Sequence, residues 1–233
     1  LSALLVRRLT ELGKSPVLAI DADPNSCLDA ALGVTVTGTV GKAREEVRVE
    51  AADAASQGIS KQEMLEMKIA ESLVEAKGFD LIAMGRPEGS GCYCYANNVL
   101  KSVIGQIAKE YPYVMLDNEA GLENLSRRIV QNVDLLILVS DASNAGLSTL
   151  SRLYDLAKEM EIGYGKLFLV VNKIRGNVPE RINEIKDYSK ADKVLLINDD
   201  EELALLAEQN EPLTKLPENN PLLQAADDII NNL

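Results

Sequence analysis

Pro16-Val17-Leu18-Ala19-Ile20-Asp21-Ala22-Asp23-Pro24 decides how this chain is read. The apolar run shows no polar alternation, which fits a strand buried on both faces, as in a parallel sheet. Asp-x-Asp-Pro ends the run abruptly, placing two carboxylates where the strand gives way to a loop. Upstream, Leu1, Leu4, Leu5, Leu9 and Leu12 recur at helical spacing, and the helix Ser2–Leu12 is expected to stop at Gly13. A helix through Cys27–Leu32 should follow the carboxylates.

The same alternation continues along the chain. Phe79–Met84, Tyr113–Leu116, Leu135–Val139, Leu167–Val171 and Val194–Ile197 read as strands. Helices are expected at Asn98–Lys109, Leu122–Val130, Leu147–Glu159, Glu201–Glu208 and Pro221–Asn231. Residues 42–77 are charged and Ala-rich, with Met64, Leu65, Ile69, Leu73 and Val74 as a helical stripe, and Lys61–Lys77 reads as a solvated helix. Strands separated by helices predict an α/β fold, a mostly parallel sheet with helices on both faces. With no repeat or Pro/Gly/Ser linker, a single domain over residues 1–233 is expected.

Composition narrows the function. The 233 residues carry a formal charge of −12, against a nucleic-acid backbone or an anionic membrane as main partner. No apolar run approaches the roughly 20 residues of a spanning helix, and the opening segment lacks signal-peptide features. Three cysteines are a poor disulfide framework, so a cytoplasmic protein is expected.

In α/β sheets ligands gather beyond the carboxyl ends of the strands. There the sequence places Asp21, Asp23, Asp117, Asp141 and the pair Asn172-Lys173. Clustered carboxylates repel unless a cation offsets them, and Mg2+ with nucleotide phosphates would do so. Asp141 opens Asp-Ala-Ser, equally a good helix entry. Glu119 either faces a partner chain or caps the next helix.

Gly89-Ser90-Gly91-Cys92-Tyr93-Cys94 carries a different chemistry. Thiols two positions apart lie on one side of an extended backbone and can grip a soft metal ion, leaving half of a four-ligand shell open. A second pair from a second chain would complete it. Tyr93 and Tyr95 would face the opposite side and pack, and Cys27, near Leu28 and Leu32, is expected to pack too.

These ordered motifs resemble the deviant-Walker-A ATPases, the P-loop superfamily of chromosome-partitioning and septum-positioning ATPases and the nitrogenase iron protein. Within it, Gly85–Cys94 and Asp117-Asn118-Glu119-Ala120-Gly121 look most like the accessory ATPase that inserts nickel into carbon monoxide dehydrogenase. The resemblance implies that Asp23 orients or activates the attacking water and that Asp21 supports Mg2+. It implies that Asp117 holds Mg2+ through a water, that Asn172 hydrogen-bonds adenine beside Lys173, and that Cys92 and Cys94 meet at a dimer interface. The expected function is an ATP-driven metallochaperone: a homodimer favoured by ATP and metal, carrying Ni2+ (or Zn2+) to a client nickel enzyme. Its rivals are a partitioning-type ATPase with incidental cysteines and a non-enzymatic metal or Fe–S carrier. The resemblance also implies a strand and a phosphate loop of the type Lys-Gly-Gly-x-Gly-Lys-Thr-Thr before the first helix. The 233 residues contain none, so the expectation is an N-terminally truncated, inactive chain.

Overall fold

The computed structural model describes residues 1–56, 58–86, 101, 102, 104, 105, 107–120 and 130–233, with backbone alone for 51–56. They form two compact units, one built from residues 1–120 and 206–215, the other from 121–205 and 216–233.

The first unit contains α1 (Ser2–Glu11), β1 (Val17–Asp21), α2 (Leu28–Leu32), α3 (Val40–Ser56), α4 (Lys61–Glu71), β2 (Val74–Ala76), β3 (Phe79–Ala83) and β4 (Tyr113–Asp117). Its sheet runs in the order β2-β3-β1-β4. β1 lies between β3 and β4, parallel to both, and all five of its residues are buried. That central position is why its sequence is apolar without alternation. α1 buries Leu4, Leu5 and Leu9 as one stripe, while Arg7 and Arg8 both pair with Glu11 on a following turn.

The expected helix over Lys61–Lys77 is corrected here. α4 opens with a capping box, Ser60 accepting from the Glu63 amide at 3.2 Å while Glu63 accepts from the Ser60 amide at 2.9 Å, and it ends at Glu71. Val74–Ala76 then pairs antiparallel with β3, Ala76 opposite Phe79. The two-residue connection Lys77-Gly78 supplies a positive φ of 88° at Gly78, which a tight hairpin requires. Helical periodicity at Leu73 and Val74 is therefore coincidental. Pairing with a neighbouring strand overrides it.

The second unit contains β5 (Asn132–Asp141), α5 (Asn144–Glu159), β6 (Gly163–Ile174), α6 (Arg181–Ser189), β7 (Lys193–Asn198) and α8 (Pro221–Ile230), and α7 (Glu201–Glu208) begins in it. β5, β6 and β7 are parallel neighbours in that order. Leu147, Leu150, Tyr154 and Ala157 form the buried stripe of α5, and the first three meet Leu167, Leu169 and Val171 of β6 in one core. α8 is capped by Asn220, whose side-chain Oδ1 accepts from the Leu222 amide at 2.9 Å, with Pro221 in the first helical position. α6 was not expected from sequence. It buries Ile182 and Ile185 among charged residues, an apolar stripe too short to register as a helix.

The expected helix Leu122–Val130 lies outside the described residues except for Val130, and Asn98–Lys109 lies partly outside, with Ala108–Glu110 forming a 3-10 turn. Described strands are mostly parallel and flanked by helices, as the sequence predicted.

Candidate functional site

In the first unit, parallel pairing sets Asp21 opposite Asp117 at the carboxyl ends of β1 and β4. The Ala22 amide donates to the Asp117 carbonyl at 2.8 Å, extending the ladder into the loop. The side chain of Asp21 is buried and works on its own backbone. Oδ1 accepts from the Asp23 amide and Oδ2 from the Leu28 amide, each at 3.0 Å, which folds residues 22–28 over the strand end. Burial raises the Asp21 carboxyl above its ordinary range; the two amide bonds oppose that, and the charges of Asp117 and Asp23 add to it.

Asp23 is half-buried and held differently. Its Oδ1 accepts from the Asn25 amide at 2.7 Å and from Asn25 Nδ2 at 3.0 Å. Asp117 Oδ1 accepts from Ser2 Oγ at 2.6 Å. The second oxygens of Asp23 and Asp117 have no donor among the described residues. The open oxygen of Asp117 suits Mg2+, which takes one or two carboxylates and completes its shell with phosphate and water, and the open oxygen of Asp23 can accept from a water. No group of three or more His, Cys, Asp or Glu among the described residues is placed to hold a metal by itself.

Cys27 departs from expectation. It is exposed just before α2 rather than packed, because the loop turns Leu28 inward instead. Partial desolvation and the charges of Asp23, Asp21, Asp29 and Asp117 push its thiol up, away from the thiolate a metal needs.

In the second unit, Asp141 lies opposite Asn172 at the ends of β5 and β6. Asp141 Oδ1 accepts from Ser143 Oγ at 2.5 Å and from the Ser143 amide at 2.9 Å; Ser143 in turn accepts from the Gly146 amide at 3.0 Å and caps α5. The Ser143 hydroxyl, its amide and the charge of Lys173 hold the Asp141 carboxyl below its ordinary range. Of the two readings of Asp141, the helix entry is the one its hydrogen bonds describe. Asn172 Oδ1 accepts from the Lys173 amide at 2.9 Å, and Lys173 takes a left-handed φ of 54° where β6 shifts register against β7. At that bulge the Lys173 side chain is exposed, one residue before the end of β6.

The structure thus brings Asp21, Asp23 and Asp117 together in one unit and Asp141, Asn172 and Lys173 together in the other. Cys92, Tyr93, Cys94 and Tyr95 lie outside the described residues, and Glu119 is half-buried in the loop after β4. Sequence reading missed Asn25 and Arg86, whose side chains meet although 61 positions apart. Asn25, following Asp-x-Asp-Pro, carried a turn signal alone. No helix among the described residues is long and apolar enough to cross a membrane.

No family model matches the chain. The uncharacterized ATP-binding protein MJ0685 of Methanocaldococcus jannaschii is 42% identical over 236 residues, spanning 100% of this chain and 92% of that protein. The carbon monoxide dehydrogenase accessory protein CooC of Rhodospirillum rubrum is 28% identical over 187 residues, 75% of this chain and 69% of that one. The septum site-determining protein MinD of Pyrococcus horikoshii OT3, solved with Mg-ADP, superposes with a TM-score of 0.61 at 18% identity, over 97% of this chain and 85% of that one. By its identity along the full length the chain belongs to the family of the ATP-binding protein MJ0685, and its fold is that of the MinD/ParA-like P-loop ATPases.

Proposed function

We propose that the protein is an ATPase whose hydrolysis cycle delivers a soft metal ion, nickel by similarity to CooC, to carbon monoxide dehydrogenase or a related nickel enzyme. The observation that carries this reading is the Cys92-Tyr93-Cys94 pair in a chain 28% identical to CooC over three quarters of its length. Two such pairs, one from each subunit of a homodimer, make a four-thiolate site that either Ni2+ or Zn2+ fits. Metal and nucleotide that both favour the dimer promote each other's binding, and hydrolysis, by separating the subunits, releases the ion.

In the hydrolysis step a water oxygen bonds to the γ-phosphorus as the bond to the ADP oxygen breaks. Asp23 accepts a hydrogen bond from that water through its open Oδ2 and aligns it, and Asp21 keeps the loop in place. Asp117 would hold Mg2+ through a water, and the bound ion would supply positive charge to the phosphate oxygens. Asn172, beside Lys173, hydrogen-bonds adenine.

The fold likeness to MinD favours a second reading, a partitioning-type ATPase with incidental cysteines. One titration separates the readings: molar mass and bound metal of the full-length protein with nickel or zinc, with and without ATP, for wild type and the C92S/C94S variant. One metal per two chains, strengthened by ATP and lost in the variant while ATP binding remains, is expected. ATP-dependent dimers indifferent to metal would return the protein to the partitioning class. Metal binding indifferent to nucleotide would make it a carrier.

A further inference from the structure

We infer that Arg86 is a positioning residue for ATP hydrolysis, acting on Asp23 through Asn25. The inference rests on the reading of Asp23 as the residue that aligns the attacking water.

Asn25 sits between a carboxylate and a guanidinium. Its Nδ2 donates to Asp23 Oδ1 at 3.0 Å, and its Oδ1 accepts from Arg86 Nη2. A guanidinium has donors and no acceptor, so only the carbonyl end of the Asn25 amide can face it. The amino end must then face Asp23. The reverse orientation would set N–H against N–H on one side and oxygen against carboxylate oxygen on the other. Arg86 therefore fixes which way the amide points, and the amide fixes Asp23. With the Asn25 backbone amide also on Oδ1 at 2.7 Å, that oxygen is engaged twice and Oδ2 is left without a donor among the described residues, open to a water.

Arg86 can impose this because the two residues leading into it are held. The Met84 amide donates to the Asp21 carbonyl at 2.8 Å, the Gly41 amide to the Met84 carbonyl at 2.9 Å, and the Gly85 amide to Ser26 Oγ at 3.2 Å. Gly85 adopts φ +63°, and a Cβ there would fall 2.4 Å from Thr39 Oγ1, so the chain passes close against the residue that precedes α3. The Arg86 and Asn25 side chains are exposed, where an ion-dipole contact adds little to stability. Its value lies in orientation, and orientation appears in turnover.

The test is steady-state ATP hydrolysis by the full-length protein, comparing wild type with D23N, R86M, R86K, N25A and R86M/N25A. R86M is expected to lower kcat by about 10-fold or more, as small misplacements of reacting groups do, with KM for ATP and the thermal midpoint little changed. R86K, which still offers only donors, should recover most of the loss. The double variant should be no slower than N25A alone, because both changes cut one relay. Wild-type kcat in R86M, equal loss in R86K, or additive losses in the double variant would overturn the inference while leaving the role of Asp23 intact. If D23N itself hydrolyses ATP normally, the reading of Asp23 fails and the relay has nothing to position.

Discussion

Asp21 and Asp141 occupy the same topological place, the last residue of a parallel strand before a loop into a helix, and the two units use them in opposite ways. Asp21 is buried and spends one oxygen on each of two amides, those of Asp23 and of Leu28 seven positions on. Asp141 is exposed, and one oxygen serves the residue two positions on, Ser143. Burial pushes the first carboxyl up, while hydrogen bonds and Lys173 pull the second down. A carboxylate at a strand end is thus a loop clamp or a helix entry according to whether the neighbouring strands enclose it. β1 has a parallel partner on each side, whereas among the described strands β5 is paired on one side alone.

Substitutions can break this contrast. D21N exchanges one acceptor oxygen for an amino group, so one of the two buried amides loses its partner. A loss of about 1–3 kcal/mol in denaturant unfolding is expected, with the slope unchanged. Retained stability would mean that the loop does not depend on the clamp. S143A in the second unit removes the cap of α5 and should cost about 1 kcal/mol, measured the same way. A loss larger than that of D21N would reverse the ranking of the two strand ends.

The smallest effect is on proton affinity, and its sign differs between the two. Asp21 holds its proton more tightly folded than unfolded, so its contribution favours the fold below the ordinary Asp value of about 3.9 and is lost as pH rises through its folded value. Asp141 does the reverse: its contribution is present above that value and is lost as pH falls through its lower folded value. Carboxyl carbon chemical shifts followed from pH 7 to pH 2 should place the Asp21 midpoint above that of Asp141. The opposite order would contradict the burial assigned to Asp21.

Much of this was readable from sequence, for identifiable reasons. The run Val17–Ile20 is continuous because β1 is central, and Asp-x-Asp-Pro marks its end without ambiguity. Short elements were lost where tertiary pairing governs: β2 exists because β3 offers it an edge, and α6 has too few apolar residues to show its period. The roles within the site were less legible than its location. Asp21 and Asp23 are indistinguishable as letters, and what separates them is that Leu28 donates to one and Asn25 to the other. Asp141 suited two readings until Ser143 was seen to bond it. The Asn25–Arg86 contact joins the loops that follow the neighbouring strands β1 and β3, and no local pattern carries such a pairing.

The most direct test of the account is ATP turnover by the full-length protein carrying D23N, set beside the same measurement on D141N. If the β1 strand end is the hydrolytic one, D23N should lower kcat by about 100-fold or more, in the range found for removing a group that handles the reacting water, and D141N should stay within about two-fold of wild type. Equal losses, or a larger one in D141N, would contradict the assignment of hydrolysis to Asp23.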